Sequence, residues 1–489
     1  MDSTDRRISA RSLARLVGDW RPPDGRGLAD ALGDQIRLLV LDGRLGLQTR
    51  LPAERELAAA LGISRTTVAT VYDALRDAQL LRSRRGAGSW TQLPPELAGS
   101  GRVSPFFPHG SADAPLDLAH AALPAPSAAL RRAAAEAVGD LDGYLGGHGY
   151  EMLGLPVLRA AIADRFTSRG LPTEPNQILV TAGALHAITL ALAALTGPGD
   201  RVLVEHPTYP NVLHALTNLG VRPVPVPMGP PPDGWDLELL TAAIRDAAPR
   251  LAYLIPDFQN PTGAQLGADA RGRLVELARR TGTTLLIDES LAELHLDVGP
   301  QLPVAAHGAV DSPLVITVGS ASKMLWGGLR VGWIRTTAPM VRRLVATRAA
   351  LDLGGPVLDQ LVAARLLPEA DPVLAGRRVE LAAARDHLLG RLGDVFPQWR
   401  ASRPGGGLSL WVELGAAVSS RLALAARRRE VLLAAGPRFG VDGTFERYLR
   451  LPYTLRRDRM DAAVDRLALA WRELDRAEPV PDTLPIAVA

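Results

Sequence analysis

Of the 55 Lys+Arg residues in this 489-residue chain, 54 are arginine and one, Lys323, is lysine. Arginine supplies charge and a bidentate fork but keeps its proton. A lysine amine can lose its proton and attack a carbonyl to form a Schiff base. One amine among 54 guanidiniums indicates that position 323 needs an amine rather than a charge. A solvated surface lysine is the plain alternative, and the neighbours argue against it. The stretch reads GSASKMLWGGLR, Gly319 to Arg330. Ser320 and Ser322 place hydroxyls just before the amine. Arg330 follows behind the flexible pair Gly327-Gly328. Hydroxyls and a guanidinium beside a lysine suit a phosphate carried by an aldehyde.

Such groups need a scaffold, and the chain around them alternates short apolar strands with helices. Strands are expected at 177–181, 201–205, 222–226, 251–255, 284–288, 314–318 and 331–335. Helices are expected over 237–247 and 268–281, and the apolar run 180–196 reads as a strand followed by a buried helix. This is an α/β layout with a mostly parallel, seven-stranded, doubly covered sheet. Ligands in such sheets bind beyond the carboxyl ends of the strands, and further polar groups stand there. Thr181-Ala182-Gly183-Ala184 links a strand to a helix. The backbone N–H groups at Gly183 and Ala184 suit a phosphate, though this turn alone is a weak signal. Tyr209, in EHPTYPN, is either a stacking platform or a core tyrosine. Asn260, in DFQNPTG, is either a carboxamide donor or part of an ordinary turn. Asp288 closes TTLLIDES, where a carboxylate can hold a pyridine nitrogen protonated or simply cap a helix.

The front of the chain differs. Residues 1–92 hold 15 Arg against 11 Asp+Glu, a net of +4, which leaves 3 − 4 = −1 for the rest. Leu28, Leu32, Ile36 and Leu39 share one face of a helix over 28–41. Further helices are expected at 53–61, stopped by Gly62, and at 65–78, capped by Ser64. SRRGAGSW then reads as a hairpin. Three helices and a hairpin make a winged helix-turn-helix, a fold that places the start of its second motif helix in the DNA major groove. That start is Ser64-Arg65-Thr66-Thr67, with Arg65 able to reach a base edge or phosphate. Residues 93–115, rich in Pro, Gly and Ser, read as a linker.

Both parts resemble known families. The stretch around Lys323 resembles the Schiff-base segment of fold-type-I pyridoxal-phosphate (PLP) enzymes, the aminotransferases, over residues 116–489. The large part of that body is placed at about 140–340 and the small part at about 341–489. The resemblance implies PLP as cofactor, carried by Lys323 and held by Gly183, Ala184, Tyr209, Asn260, Asp288, Ser320, Ser322 and Arg330. It implies that Arg450, in ERYLRLPYT, grips a substrate carboxylate, with Arg447 as local competitor. It also implies that Tyr144, rather than Tyr150, reaches the cofactor phosphate of a second subunit, and hence a homodimer. One departure stands out: the tyrosine usual two or three residues after the aspartate is replaced by Ser290 and Leu291. Residues 51–88 resemble the GntR superfamily of bacterial regulators. That implies DNA contacts by Arg55, Ser64, Arg65, Thr66, Thr67, Arg85 and Gly86 on double-stranded DNA.

The fused pair resembles the MocR branch of GntR regulators. The implied function is a PLP-dependent transcriptional regulator that senses an amine or amino acid by external aldimine formation. The alternative is an active aminotransferase carrying a DNA-binding head. The absence of cysteine excludes disulfides and thiolate metal sites. No apolar run reaches membrane-spanning length and no basic-apolar leader opens the chain, so a cytoplasmic protein is expected.

Overall fold

The computed structural model describes residues 6–18, 20–21, 27–84, 87–94, 115–229, 234–309 and 312–475. In the front part four helices precede the hairpin: α1 (Ala10–Val17), α2 (Leu28–Leu41), α3 (Glu54–Leu61) and α4 (Arg65–Asp77). The sequence reading had three. Helix α1 is two turns long, but Ser9 caps it and Leu13 and Val17 are buried on its inner side. Its apolar spacing is too short to stand out from the background. Ile36, Leu57, Val68, Val71 and Leu75 are buried with it in one core. The hairpin pairs β1 (Leu81–Arg84) with β2 (Gly88–Thr91). Arg85 and Gly86 of the wing lie outside the described residues, as does most of the 93–115 linker.

The main sheet of the body has seven strands: β4 (Ile178–Thr181), β5 (Arg201–His206), β6 (Arg222–Pro227), β7 (Leu251–Leu254), β8 (Thr284–Asp288), β9 (Val315–Ser320) and β10 (Gly332–Arg335). Their order is β4-β10-β9-β8-β7-β5-β6, and β10 alone is antiparallel. Alternate residues serve opposite layers. Leu179, Val202, Leu251, Leu286 and Val318 pack into one core, while Val180, Leu203, Ala252, Leu285 and Ile287 pack into the other. A sheet covered on both faces requires such near-continuous apolar strands.

A second, five-stranded sheet has the order β11 (Arg400–Ala401), β12 (Ser409–Glu413), β14 (Tyr448–Pro452), β13 (Val431–Ala435), β3 (Leu116–Leu118). The three-residue β3 runs parallel to β13. The start of the body is thus tied to its C-terminal part, a pairing that a Leu-Asp-Leu stretch does not announce. The two parts of the chain also touch. Helix α2 lies beside α14 (Ser419–Arg427), and the Gln35 amide donates to Glu446 at 2.7 Å. No helix among the described residues is long and apolar enough to cross a membrane.

Candidate functional site

The sheet delivers its polar groups to one end because the segments that follow β4, β5, β7, β8 and β9 leave the same ends of parallel strands. After β4, Gly183 adopts φ +92° and starts the helix Ala184–Leu195 (α7). A Cβ at Gly183 would sit 3.0 Å from Nη2 of Arg330, so only glycine lets the guanidinium close over the helix start. Arg330, itself left-handed at φ 51°, donates to the Ala182 carbonyl at 2.7 Å. Gly332 is needed as well: a Cβ there would come within 2.8 Å of the Ala184 nitrogen. A helix start, a bare α-carbon and an arginine form an anion cradle. The Ser320 hydroxyl serves the turn itself. It accepts the Ser322 N–H at 3.1 Å and donates to Val331.

Lys323 sits in the π-helical turn Ser322–Trp326. Its Nζ donates to the Ala121 carbonyl at 2.7 Å. Burial lowers its pKa to about 8, helped by Arg450 and opposed by Asp288. Asp288 is buried and accepts the Tyr253 hydroxyl at 2.9 Å and the Ser290 N–H at 2.9 Å. Burial pushes the Tyr253 phenol well up, so it stays a donor. Tyr253 was missed from sequence; its only signal is a hydroxyl inside the apolar run LAYL. The Ser290 hydroxyl is buried without a partner among the described residues, and Leu291 packs against the core.

Arg450, on β14, is 7% exposed. It donates to Asn260 Oδ1 at 3.3 Å and to the Ala119 carbonyl. Its guanidinium carbon lies 5.1 Å from the Phe439 ring centroid. Its Nε is buried with no partner among the described residues. Burial, then Arg438, lowers its pKa to about 10. Arg447 turns outward to the Gly415 carbonyl. The Asn260 loop is braced from below: Gln259 donates to Glu205 at 2.9 Å, a carboxyl that burial raises to about 7. Tyr209 opens the helix Pro210–Asn218 (α8) and its oxygen accepts the Asn211 amide at 2.8 Å. Arg377, not anticipated, donates to the Pro124 carbonyl at 2.7 Å. So Arg450, Lys323 and Arg377 all hold carbonyls of the segment 119–124. Tyr144 has none of these contacts; it half-buries against the main core, while Tyr150 is 60% exposed.

These residues fit a phosphorylated pyridine aldehyde. The cradle accepts a dianion, Lys323 offers an amine that can lose its proton, and Asp288 provides a carboxylate for a ring N–H. The orphaned Nε of Arg450 leaves a donor for a carboxylate.

In the front part, the Ser64 side chain caps α4 by accepting the Thr67 N–H at 3.0 Å. Ser64, Arg65 and Thr66 are exposed, as is Arg55 on α3. Arg65 is paired with Glu54 at 3.0 Å, so its charge is partly compensated before any partner arrives.

The fold and the site thus define a winged DNA-binding head joined to a body of the aminotransferase architecture. The model for aminotransferase class I and II matches residues 112–467, and that for the gntR family of bacterial regulatory proteins matches residues 28–90. The chain belongs to the aminotransferase class I and II family, with a GntR-type DNA-binding domain in front. The uncharacterized helix-turn-helix-type transcriptional regulator YisV of Bacillus subtilis is 27% identical over 473 residues, covering 90% of this chain and 95% of YisV. The pyridoxine biosynthesis transcriptional regulator PdxR of Corynebacterium glutamicum is 32% identical over 357 residues, 71% of this chain and 73% of PdxR. Among solved structures, the alpha-aminoadipate aminotransferase LysN of Thermus thermophilus, complexed with N-(5'-phosphopyridoxyl)-L-leucine, is 30% identical. It superposes with a TM-score of 0.67, covering 74% of this chain and 94% of LysN.

Proposed function

We propose that this chain is a PLP-dependent transcriptional regulator of the MocR type, whose body binds an amine or amino acid and whose head binds double-stranded DNA. One observation carries the reading: the sole lysine stands beside an anion cradle in a chain that also carries a GntR-type head. YisV, matched over 90% of this chain, and PdxR, matched over 71%, are both named as helix-turn-helix-type transcriptional regulators. When bound, PLP supplies an aldehyde that condenses reversibly with primary amines. Gly183, Ala184, Ser322 and Arg330 would hold its phosphate. Tyr209 and Asn260 would line the ring's site, and the Asp288 carboxylate would hold a ring proton. Lys323 would supply the amine to which the aldehyde attaches, and Arg450 would bind the ligand carboxylate in place of Ala119. In the head, Arg55, Ser64, Arg65, Thr66, Thr67, Arg85 and Gly86 contact DNA.

A homodimer with Tyr144 reaching the neighbouring site is part of the proposal. In support, the apolar side chains Leu145, Tyr150, Leu351 and Leu353 are 67%, 60%, 53% and 47% exposed. The test is a DNA-binding titration of the full chain, with and without PLP and a panel of amines, beside Lys323→Ala. Ligand-dependent DNA affinity that vanishes in the variant is expected. DNA binding indifferent to PLP and amines would defeat the proposal. Sustained production of 2-oxo acid from amino acids would favour an active aminotransferase instead.

A further inference from the structure

The turn that forms the anion cradle is pinned on both sides of Ala182. The Ala182 carbonyl accepts Arg330 at 2.7 Å. The Ala182 N–H donates to Nδ1 of His186 at 3.1 Å. His186 lies in the first turn of α7 and is half-buried. The two peptide units that flank Ala182 are therefore both held. A peptide unit is planar, so holding the Ala182 carbonyl also aims the Gly183 N–H, which belongs to the same plane.

A backbone N–H only donates, so Nδ1 of His186 must present its lone pair. A neutral imidazole then carries its proton on Nε2. Nε2 stands 3.2 Å from Oδ2 of Asp352, a carboxylate oxygen that accepts. The other oxygen, Oδ1, is taken by Arg348 Nε at 2.5 Å and by the Gly354 N–H at 2.9 Å. Arg348 is 0% exposed and also holds the Met152 and Val180 carbonyls at 2.8 and 2.6 Å. Asp352 is thus fixed against the strand that leads into the cradle. Burial lowers the His186 pKa; Asp352 opposes this, while Arg348 and Arg330 add to it. The ring is mostly neutral at neutral pH. We propose that His186 is a positioning residue for phosphate: Asp352 fixes its tautomer, the tautomer holds Ala182, and Ala182 sets the N–H groups that meet the anion. The loop at 349–354, whose Leu351 and Leu353 are exposed, thereby sets the grip on a phosphate, and the ring and aldehyde are left alone. This inference rests on the reading that the cradle holds the phosphate of PLP.

The test uses the full chain, titrated with PLP and with pyridoxal, the same aldehyde without the phosphate, and followed by visible absorbance. His186→Ala leaves the Ala182 N–H without its acceptor and should weaken PLP about tenfold while leaving pyridoxal unchanged. His186→Gln supplies an amide oxygen in place of Nδ1 and should restore most of the affinity. Asp352→Asn keeps an oxygen for Arg348 and Gly354 but sets an NH2 group against Nε2, which favours the opposite tautomer. It should weaken PLP about threefold or more in the native background, and change little beside His186→Gln. Nitrogen-15 NMR of labelled histidine, with the His186 signals assigned by their loss in His186→Gln, should place the proton on Nε2. A proton on Nδ1, an unchanged PLP affinity in His186→Ala, or an equal loss for pyridoxal overturns the role of His186 alone. If the native chain takes up no PLP, the cofactor reading falls and this inference falls with it.

Discussion

Attachment of PLP should be governed by the protonation of Lys323. An ordinary lysine at 10.5 is neutral in about one molecule in three thousand at pH 7, whereas at about 8 it is neutral in about one in ten. Burial thus raises the reactive fraction by about 300-fold at neutral pH. The sign of each neighbour is fixed. Arg450 lowers the value and Asp288 raises it, so Arg450→Met should move the inflection to higher pH and Asp288→Asn to lower pH. The assay is the initial rate of PLP incorporation into the apoprotein, trapped with borohydride, from pH 6 to 10. The rate should climb about tenfold per pH unit up to pH 8 and then level. A flat profile between pH 6 and 8, or an inflection that Arg450→Met leaves in place, would refute burial and Arg450 as the cause.

Three further outcomes follow from the geometry. Gly183→Ala forces a Cβ onto the Arg330 guanidinium in a backbone conformation that costs about 1–3 kcal/mol. PLP affinity, read by absorbance titration, should drop at least about fivefold, and native affinity would argue against the cradle. Arg65→Ala should weaken DNA binding and reduce its salt slope by about one. Glu54→Gln, which removes the competing carboxylate, should strengthen it in the same anisotropy titration. Arg271 and Asp257 are 0% and 1% exposed and paired at 2.5 Å behind the Asn260 loop. Arg271→Ala leaves a buried carboxylate uncompensated and should destabilise the chain by about 3–5 kcal/mol in urea unfolding; a loss under about 1 kcal/mol would show that the pair adds little.

Apart from the short helix α1, the sequence alone marked out the features that depend on local chain chemistry. Lys323 is identifiable because no second lysine competes with it. Gly183 is identifiable because a strand–glycine–helix turn is a contiguous pattern, and α2, α3 and α4 because apolar spacing and capping are contiguous too. The seven strands followed from apolar runs that only a doubly covered sheet can bury. Their order did not follow, and neither did the shift of β9 to end at Ser320, which turns that hydroxyl into the support of its own loop.

What tertiary structure alone decided is which distant groups meet. Arg450 turns toward Asn260 because β14 pairs between β12 and β13, whereas Arg447 stands just before that strand and reaches the Gly415 carbonyl. Tyr253 reaches Asp288 because β7 and β8 are neighbours. The carbonyls of Ala119 and Ala121 occupy Arg450 and Lys323, and a backbone oxygen carries no sequence signature at all. The contact of Gln35 with Glu446 spans over four hundred residues, and each is an ordinary surface residue until the head is set against the body. Spacing along the chain encodes the elements and their chemistry. The pairing of groups far apart in sequence arises only when the packed sheets fix their distances.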